Sequence, residues 1–152
     1  MGAGDLSTWG TDWAWGLPLI VLTVVFHAYG LGLVNKEVIS RLRGRQRSQY
    51  SPSFANLIIG ATSLSATILH AIEGAIWASA YRFLGASADN KSAMLYSLNA
   101  MTSYGHENFN LALRWQMMGA LEALDGWILF GLTTAFLFSV VQKVWPLAKA
   151  EG

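Results

Sequence analysis

Three long apolar stretches limit what this chain can fold into. They are residues 13–34, 54–80 and 115–141. The first has no formally charged side chain, and the other two together hold only Glu73, Glu122 and Asp125. A membrane-spanning helix needs about 20 mostly apolar residues. Three such stretches in 152 residues leave too little polar sequence to bury them in a soluble domain. We therefore expect an all-α integral membrane protein with three transmembrane helices.

The composition agrees with a membrane protein and excludes several kinds of chemistry. Charged residues make up 12% of the chain, against roughly 25% in a soluble domain. Cysteine is absent, which excludes disulfides, thiolate metal sites and cysteine nucleophiles. The net charge is +1 and no nucleic-acid-binding motif occurs, so we expect no nucleic-acid partner. No nucleophile–base arrangement suggests a hydrolase, and we predict that the protein is not an enzyme.

The basic residues set the predicted orientation. The loop 35–53 carries five basic residues and one acid, Glu37, a local charge of +4. By the positive-inside rule this loop is cytoplasmic. Residues 1–12 then form an extracellular segment, and residues 142–152 form a cytoplasmic tail. We predict a multi-pass protein of the cell (inner) membrane with its N-terminus outside. The basic loop also suits anionic membrane lipid.

The segment between the second and third spans predicts a short helix followed by a polar run. Residues 92–101 are amphipathic, and Asp89, Asn90 or Ser92 is a suitable cap. About ten residues cannot span a bilayer, but they suit a re-entrant half-helix. The small polar run 102–105 follows at once, and such backbone is tolerated at membrane depth only beside protein or water. The residues alone allow both an ion pathway and a helix on the outer surface.

The order of these elements resembles the pore module of potassium channels. It is most similar to bacterial ion-channel or two-pore-domain-like potassium channel family proteins, whose filter reads Thr-Thr-Leu/Val-Gly-Tyr-Gly-Asp. The matching residues are Thr102-Ser-Tyr-Gly-His-Glu-Asn108, followed at the family's spacing by Trp115 and by a final helix rich in small residues. The resemblance covers about residues 57–145. It implies a channel-like module over 54–145, with outer helix 54–80, pore helix 92–101, filter 102–108 and inner helix 115–141. Span 13–34 is then an extra helix.

The resemblance also implies roles for single residues in a degenerate filter. Oxygens for the ion would come from Thr102, Ser103, Tyr104 and Gly105. His106 stands where the family has tyrosine, and it would make the mouth sensitive to pH. Glu107 replaces a glycine of left-handed conformation, at a cost of about 1 kcal/mol or more. A ring of Glu107 carboxylates would attract cations and favour divalent ones. Asn99 would brace the filter from behind.

Ionisable residues inside apolar spans imply partners or function. Glu73 and Glu122 are predicted to support the pore, with Glu122 hydrogen-bonded near the pore helix or a neighbouring subunit. The alternative is a metal site at four residues whose side chains are metal-ligand types at helical spacings: His70, Glu73, Glu122 and Asp125. His27 is expected to be a hydrogen-bonded contact between helices. Gly126 is either a gating hinge or a close-packing position.

Together these observations predict a homotetrameric channel that passes cations passively, with altered selectivity. One subunit supplies one filter strand, so the pore requires a closed ring. No cofactor is expected besides the permeant monovalent or divalent cation. Two alternatives remain, namely a non-conducting membrane subunit that keeps the pore fold, and a metal-binding membrane protein.

Overall fold

The computed structural model describes the backbone of residues 3–43, 51–105 and 110–149, and the side chains of residues 9–43, 51–105 and 110–145. Four α-helices fill most of these ranges: α1 (Ala3–Arg43), α2 (Pro52–Phe83), α3 (Asn90–Thr102) and α4 (Gln116–Lys149). A single 3₁₀ turn, Leu113–Trp115, precedes α4. Within the described ranges there is no strand. The expectation of an all-α chain is confirmed.

Three of the helices are long and apolar enough to cross a membrane. Their candidate spans are Trp9–Arg43, Pro52–Phe83 and Leu113–Trp145. The multi-pass character predicted from the sequence is confirmed at this level. The helices themselves extend past the apolar stretches. α1 continues to Arg43, into the predicted loop, where the Nε of Arg41 donates to Glu37 Oε1 one turn earlier at 2.6 Å. Charged residues at this spacing favour a helix without adding apolar length.

The ends of α2 and α3 follow from local sequence. Ser51 caps α2 by accepting a hydrogen bond from Phe54 N, and Pro52 occupies the first turn, where no amide hydrogen is needed. α2 ends at Phe83, and two residues later Gly85 has a positive φ of 64°, which permits the amide of Ala86 to donate to Tyr81 O at 2.8 Å. This is a Schellman motif, which satisfies carbonyls that the helix end leaves without partners.

The turn after α2 leads directly into α3. Asp89 caps α3 by accepting from Ser92 N at 3.0 Å. Hydrogen bonds from the side chain and the backbone of Ser92 hold the pKa of Asp89 below its usual range. Arg82, at the end of α2, donates to Asn90 Oδ1 at 2.9 Å and to Ser87 O at 2.6 Å. The turn is therefore fixed to both helices.

α3 lies between α2 and α4 and runs antiparallel to the first and parallel to the second. Its first residue is bonded to Arg82 near the end of α2, whereas Ser97 donates to Gly74 O, eight residues earlier in α2, at 2.8 Å. On α4 the Tyr96 ring packs at Gly119, and the Met101 backbone packs at Gly126. From its first residue to its last, α3 therefore runs along both α2 and α4, away from the C-terminal end of α2 and the N-terminal end of α4.

Two apolar cores lie at opposite ends of the helix bundle. The core at the α3 end contains large aromatic residues, including Trp77, Tyr81 and Trp115. The core at the other end is aliphatic and includes Ile58 and Val140. On each long helix, buried polar residues lie between the part that contributes to the aromatic core and the part that contributes to the aliphatic core.

Candidate functional site

A layer of buried polar side chains separates the two apolar cores. Six of them have no exposed surface: Thr23, His27, Glu73, Ser97, Glu122 and Asp125. They come from all four helices. Burying such groups is costly unless they are hydrogen-bonded or paired. Their hydrogen-bond partners therefore define what the layer can do. By these partners the layer divides into an inner cluster, a linking group and an outer cluster.

The inner cluster is a closed ring of four side chains, His27, Glu73, His70 and Thr133. His27 Nδ1 lies 2.7 Å from Glu73 Oε1, and His70 Nδ1 lies 3.4 Å from Glu73 Oε2. On the other side both imidazole Nε2 atoms approach the Thr133 hydroxyl, at 2.9 Å for His27 and 3.0 Å for His70. The two imidazole rings are 5.0 Å apart between centroids. One carboxylate and one hydroxyl therefore face the same pair of histidines from opposite ends.

Counting protons shows the charge that this ring carries. Three of the contacts are hydrogen bonds and need three hydrogens, of which Thr133 supplies one. Two neutral imidazoles supply the other two, so Glu73 remains a carboxylate. His70 Nδ1 and Glu73 Oε2 face each other without a hydrogen-bond partner, so the fourth contact holds no hydrogen. In this arrangement the inner cluster carries one negative charge.

Asp125 links the helices beside the inner cluster. Its Oδ2 accepts from Thr23 Oγ1 at 2.6 Å and from Trp77 Nε1 at 2.9 Å, which joins α4 to α1 and α2. Its Oδ1 is buried and has no hydrogen-bond partner. Asp125 also interacts electrostatically with Glu73 and His27. A second acidic group therefore stands close to the histidine pair.

The outer cluster joins α2, α3 and α4 at Glu122. Tyr81 donates to Glu122 Oε2 at 2.5 Å, and Ser97 contacts Glu122 Oε1. Ser97 Oγ also donates to Gly74 O at 2.8 Å. The two hydroxyls supply two hydrogens for these three contacts, so the third must come from Glu122. The geometry therefore fits a protonated Glu122 that donates to Ser97.

Thr102 to Gly105 form an exposed segment at the end of α3. Thr102 is the last residue of the helix, and its hydroxyl donates back to Leu98 O at 2.7 Å. Ser103 has a φ of 54°, and the amide of Tyr104 donates to Asn99 O at 3.0 Å, which completes a second Schellman motif. We expected Thr102 to begin the non-helical run, but the motif adds it to the helix.

The remaining residues of the predicted filter differ in how they are placed. Tyr104 is 86% exposed, and Gly105 has a φ of 110° with no atom near the position of a Cβ. His106 and Glu107 lie outside the described residues, so the predictions for them stay predictions. Asn99 contacts the segment through its backbone carbonyl.

The four residues predicted as a metal set do not meet at one point. His70 and Glu73 share the inner cluster, Glu122 belongs to the outer cluster, and Asp125 binds Thr23 and Trp77. Instead of Glu122 and Asp125, it is His27 that lies beside His70 and Glu73. The ligand atoms of His27, His70 and Glu73 lie within 4.8 Å of one another. His27 also forms the expected hydrogen bonds between helices.

Several partners in the layer escaped the sequence analysis, chiefly Thr23, Trp77, Tyr81, Ser97 and Thr133. A signal for some of them exists in the spacing. Thr23 precedes His27 by four residues, and Trp77 follows Glu73 by four, so each pair lies on one helix face. Polar residues repeated on one face of an apolar helix indicate a polar seam. The geometry described above is the basis for assigning function, because comparisons with family models, curated proteins and solved structures gave no match for this chain.

Proposed function

We propose that this chain is one subunit of a symmetric ring that passes cations passively through the segment after α3. The observation that carries the proposal is the exposure of residues 102–105 beyond a helix end packed deep along α4. The three spanning helices would hold that segment in the membrane, and the ring would be a tetramer as in the potassium channels that the sequence resembles.

Helix geometry supports a position for the segment deep in the membrane. Met101 packs against Gly126, which is ten residues into α4 and so about 15 Å from its start at Gln116. Ser97 is bonded to Gly74, nine residues and about 13 Å from the end of α2 at Phe83. The hydrocarbon core of a bilayer is about 30 Å thick. Both distances support a re-entrant α3 that ends near mid-depth.

Lipid cannot solvate the backbone at that depth. Non-helical segments are tolerated inside a membrane only where protein or water covers them. In one protomer the residues Thr102 to Gly105 are exposed. Copies arranged around a shared axis would cover these residues and enclose water between them. A single copy offers one such segment, which cannot surround an ion.

The chemistry of the segment favours cations. Thr102 and Ser103 bring hydroxyl oxygens, and the C-terminal end of α3 carries a partial negative charge. Carbonyl and hydroxyl oxygens replace part of an ion's hydration shell. Glu107 would add carboxylates at the mouth and shift selectivity away from potassium alone. The basic residues at the end of α1 and after it support a cytoplasmic α1–α2 connection, with the N-terminus outside the cell membrane.

Flux through liposomes tests the proposal. We expect the purified protein to release potassium, sodium or calcium down a gradient, and Gly105→Ala to abolish that flux, because a side chain is strained at a φ of 110°. Gly85→Ala is the matched control, since Gly85 also has a positive φ and open space but lies in the α2–α3 turn. Glu107→Ala should change the ratio of calcium to potassium flux.

The outcomes separate conduction from its alternatives. Absence of flux for all three ions would refute conduction and favour a non-conducting subunit. Equal flux through Gly105→Ala and Gly85→Ala would refute the assignment of the path to residues 102–105. An unchanged ion ratio in Glu107→Ala would remove the role given to that carboxylate.

A further inference from the structure

We propose that His27, His70 and Glu73 bind a divalent transition-metal ion of the zinc class, with Thr133 orienting the two imidazoles. This site goes beyond the proposed conduction and does not depend on it, because none of its ligands lies in residues 102–105. The ligands come from α1 and α2, and the orienting hydroxyl comes from α4.

The ligand atoms are already close to a coordination geometry. Zinc is bound by histidine nitrogen and carboxylate oxygen at about 2.0–2.2 Å, so two ligands of a tetrahedral site lie about 3.3 Å apart. The separation is 3.4 Å between His70 Nδ1 and Glu73 Oε2, and 2.7 Å between His27 Nδ1 and Glu73 Oε1. All three ligand atoms fall within 4.8 Å of one another. Small rotations of the side chains would therefore place them around one ion.

Two atoms of this set are buried without hydrogen-bond partners. They are His70 Nδ1 and Glu73 Oε2, and they face each other. The Glu73 side chain has no exposed surface. A carboxylate oxygen left without a partner in such a place is costly. A cation between Glu73 and His70 would satisfy both atoms, which makes this observation independent of the spacing of the ligands.

Thr133 supports the imidazoles from behind. When both histidines bind metal through Nδ1, each carries its hydrogen on Nε2, and both Nε2 atoms already lie within 3.0 Å of the Thr133 hydroxyl. A hydroxyl oxygen has two lone pairs and accepts both bonds. Metal-binding histidines commonly donate their second ring hydrogen in this way, which fixes the tautomer and the ring orientation.

The charges of the layer suit a divalent ion. Two neutral imidazoles and the Glu73 carboxylate leave one positive charge unbalanced on a doubly charged metal. Asp125 interacts electrostatically with Glu73 and His27 and supplies the second negative charge. Glu122, in its protonated form, adds no negative charge. The metal-bound layer is therefore neutral, as its position between apolar cores requires.

The ligand types select among metals. Imidazole with carboxylate suits zinc and neighbouring divalent transition ions, whereas calcium and magnesium prefer six or more oxygens. The absence of cysteine leaves no thiolate ligand for copper(I). Three protein ligands leave one position open for water. The His70 side chain is 15% exposed and stacks on Phe130 with ring centroids 4.7 Å apart, so it is the least buried of the three ligands.

Zinc and cobalt binding to the full chain in detergent tests the site. We expect one zinc ion per chain by calorimetry, and with cobalt(II) the intense visible bands of a tetrahedral complex. His70→Gln and Glu73→Gln should each weaken zinc binding at least tenfold, and Thr133→Val should weaken it about 10–100-fold. Glu122→Gln is the matched control, since Glu122 is equally buried but belongs to the outer cluster, and it should bind zinc as the parent chain does.

The parent chain provides a test that needs no variant. A ligand that binds only the folded state raises its stability, so zinc should raise the melting temperature as its concentration rises. The absence of such a rise would overturn the proposal, even if every variant failed to fold. An octahedral cobalt spectrum, or equal zinc affinity in His70→Gln, Glu73→Gln and the parent chain, would also overturn it. Flux that persists in variants lacking zinc would leave the proposed conduction standing.

Discussion

Gly126 is predicted to be irreplaceable because the backbone of α3 occupies the space beside it. A Cβ built on Gly126 lies 2.8 Å from both Cα and the carbonyl carbon of Met101, and closer still to the carbonyl oxygen. Carbon atoms in contact are normally about 3.5–4.0 Å apart. Alanine at this position therefore forces α3 about 1 Å away from α4. Small residues allow this kind of close backbone approach between helices in membranes.

The expected cost comes from comparison with Gly131 on the same helix. A Cβ on Gly131 meets no atom within 4 Å. Both alanine variants gain about 1 kcal/mol from helix propensity, so this gain cancels in the difference between them. What remains is the overlap with Met101, for which inserted groups in packed interiors cost about 1–3 kcal/mol. We expect the upper half of that range, because the atoms in the way are backbone and not a flexible side chain.

Unfolding of both variants in mixed micelles by added sodium dodecyl sulfate, followed by circular dichroism, measures this difference. Gly126→Ala should unfold at lower detergent fraction than the parent chain, and Gly131→Ala at an equal or higher one. Equal stability of the two variants would refute the close approach of α3 to α4. A hinge at Gly126 predicts a different pattern, in which Gly126→Ala keeps its stability and changes only flux.

Three further predictions concern the outer cluster, the proposed ring of subunits and the α3 cap. Glu122→Ala should destabilise the protein by about 1–3 kcal/mol, because the buried Tyr81 hydroxyl loses its hydrogen bond to Glu122, whereas Ser97 keeps its bond to Gly74 O. Glu122→Gln should cost less and remove one protonated-carboxyl band from the infrared spectrum. Tyr104→Cys in this cysteine-free chain should form disulfide-linked dimers on oxidation. Leu113→Cys is the control, because Leu113 is 85% exposed and Tyr104 is 86% exposed, and it should form few dimers. Equal dimer yields would argue against a shared axis at Tyr104. Asp89 has a lowered pKa in the folded chain, so its contribution to stability is complete above its unfolded pKa of about 3.9. This contribution is lost as the pH falls through the pKa that Asp89 has in the folded chain. Asp89→Asn keeps a cap, and its acid melting curve should lack that step.

The sequence predicts the helices well because their signals are local. The three spans follow from apolar length, and α3 follows from a capping residue and an amphipathic run. The predicted 92–101 lies inside the observed Asn90–Thr102. The end of α3 was less predictable because it depends on Ser103 adopting a left-handed conformation, which glycine normally supplies. Serine at that position gives no strong signal in a single sequence.

The inner cluster was only half predictable from the sequence. His70 and Glu73 are three residues apart on one helix, and periodicity alone placed them on one face. Glu122 and Asp125 are also three apart, yet they separate to different partners. His27 reaches Glu73 across 46 residues of sequence. Such a contact depends on the rotation of α1 about its own axis, which is fixed by packing between helices and not by any local pattern.

The two polar clusters hold different parts of the molecule. Glu122 fixes α3 through Ser97, and α3 is too short to be stable without such contacts. The inner cluster ties α1, α2 and α4 together through His27, Glu73 and Thr133 and makes no contact with α3 among the hydrogen bonds of the described residues. Loss of the outer cluster should therefore displace residues 102–105 while the spanning helices stay packed. Changes in the inner cluster should loosen the bundle as a whole. The proposed flux and the proposed metal binding thus depend on different contacts, and loss of the outer cluster should abolish flux while metal binding persists.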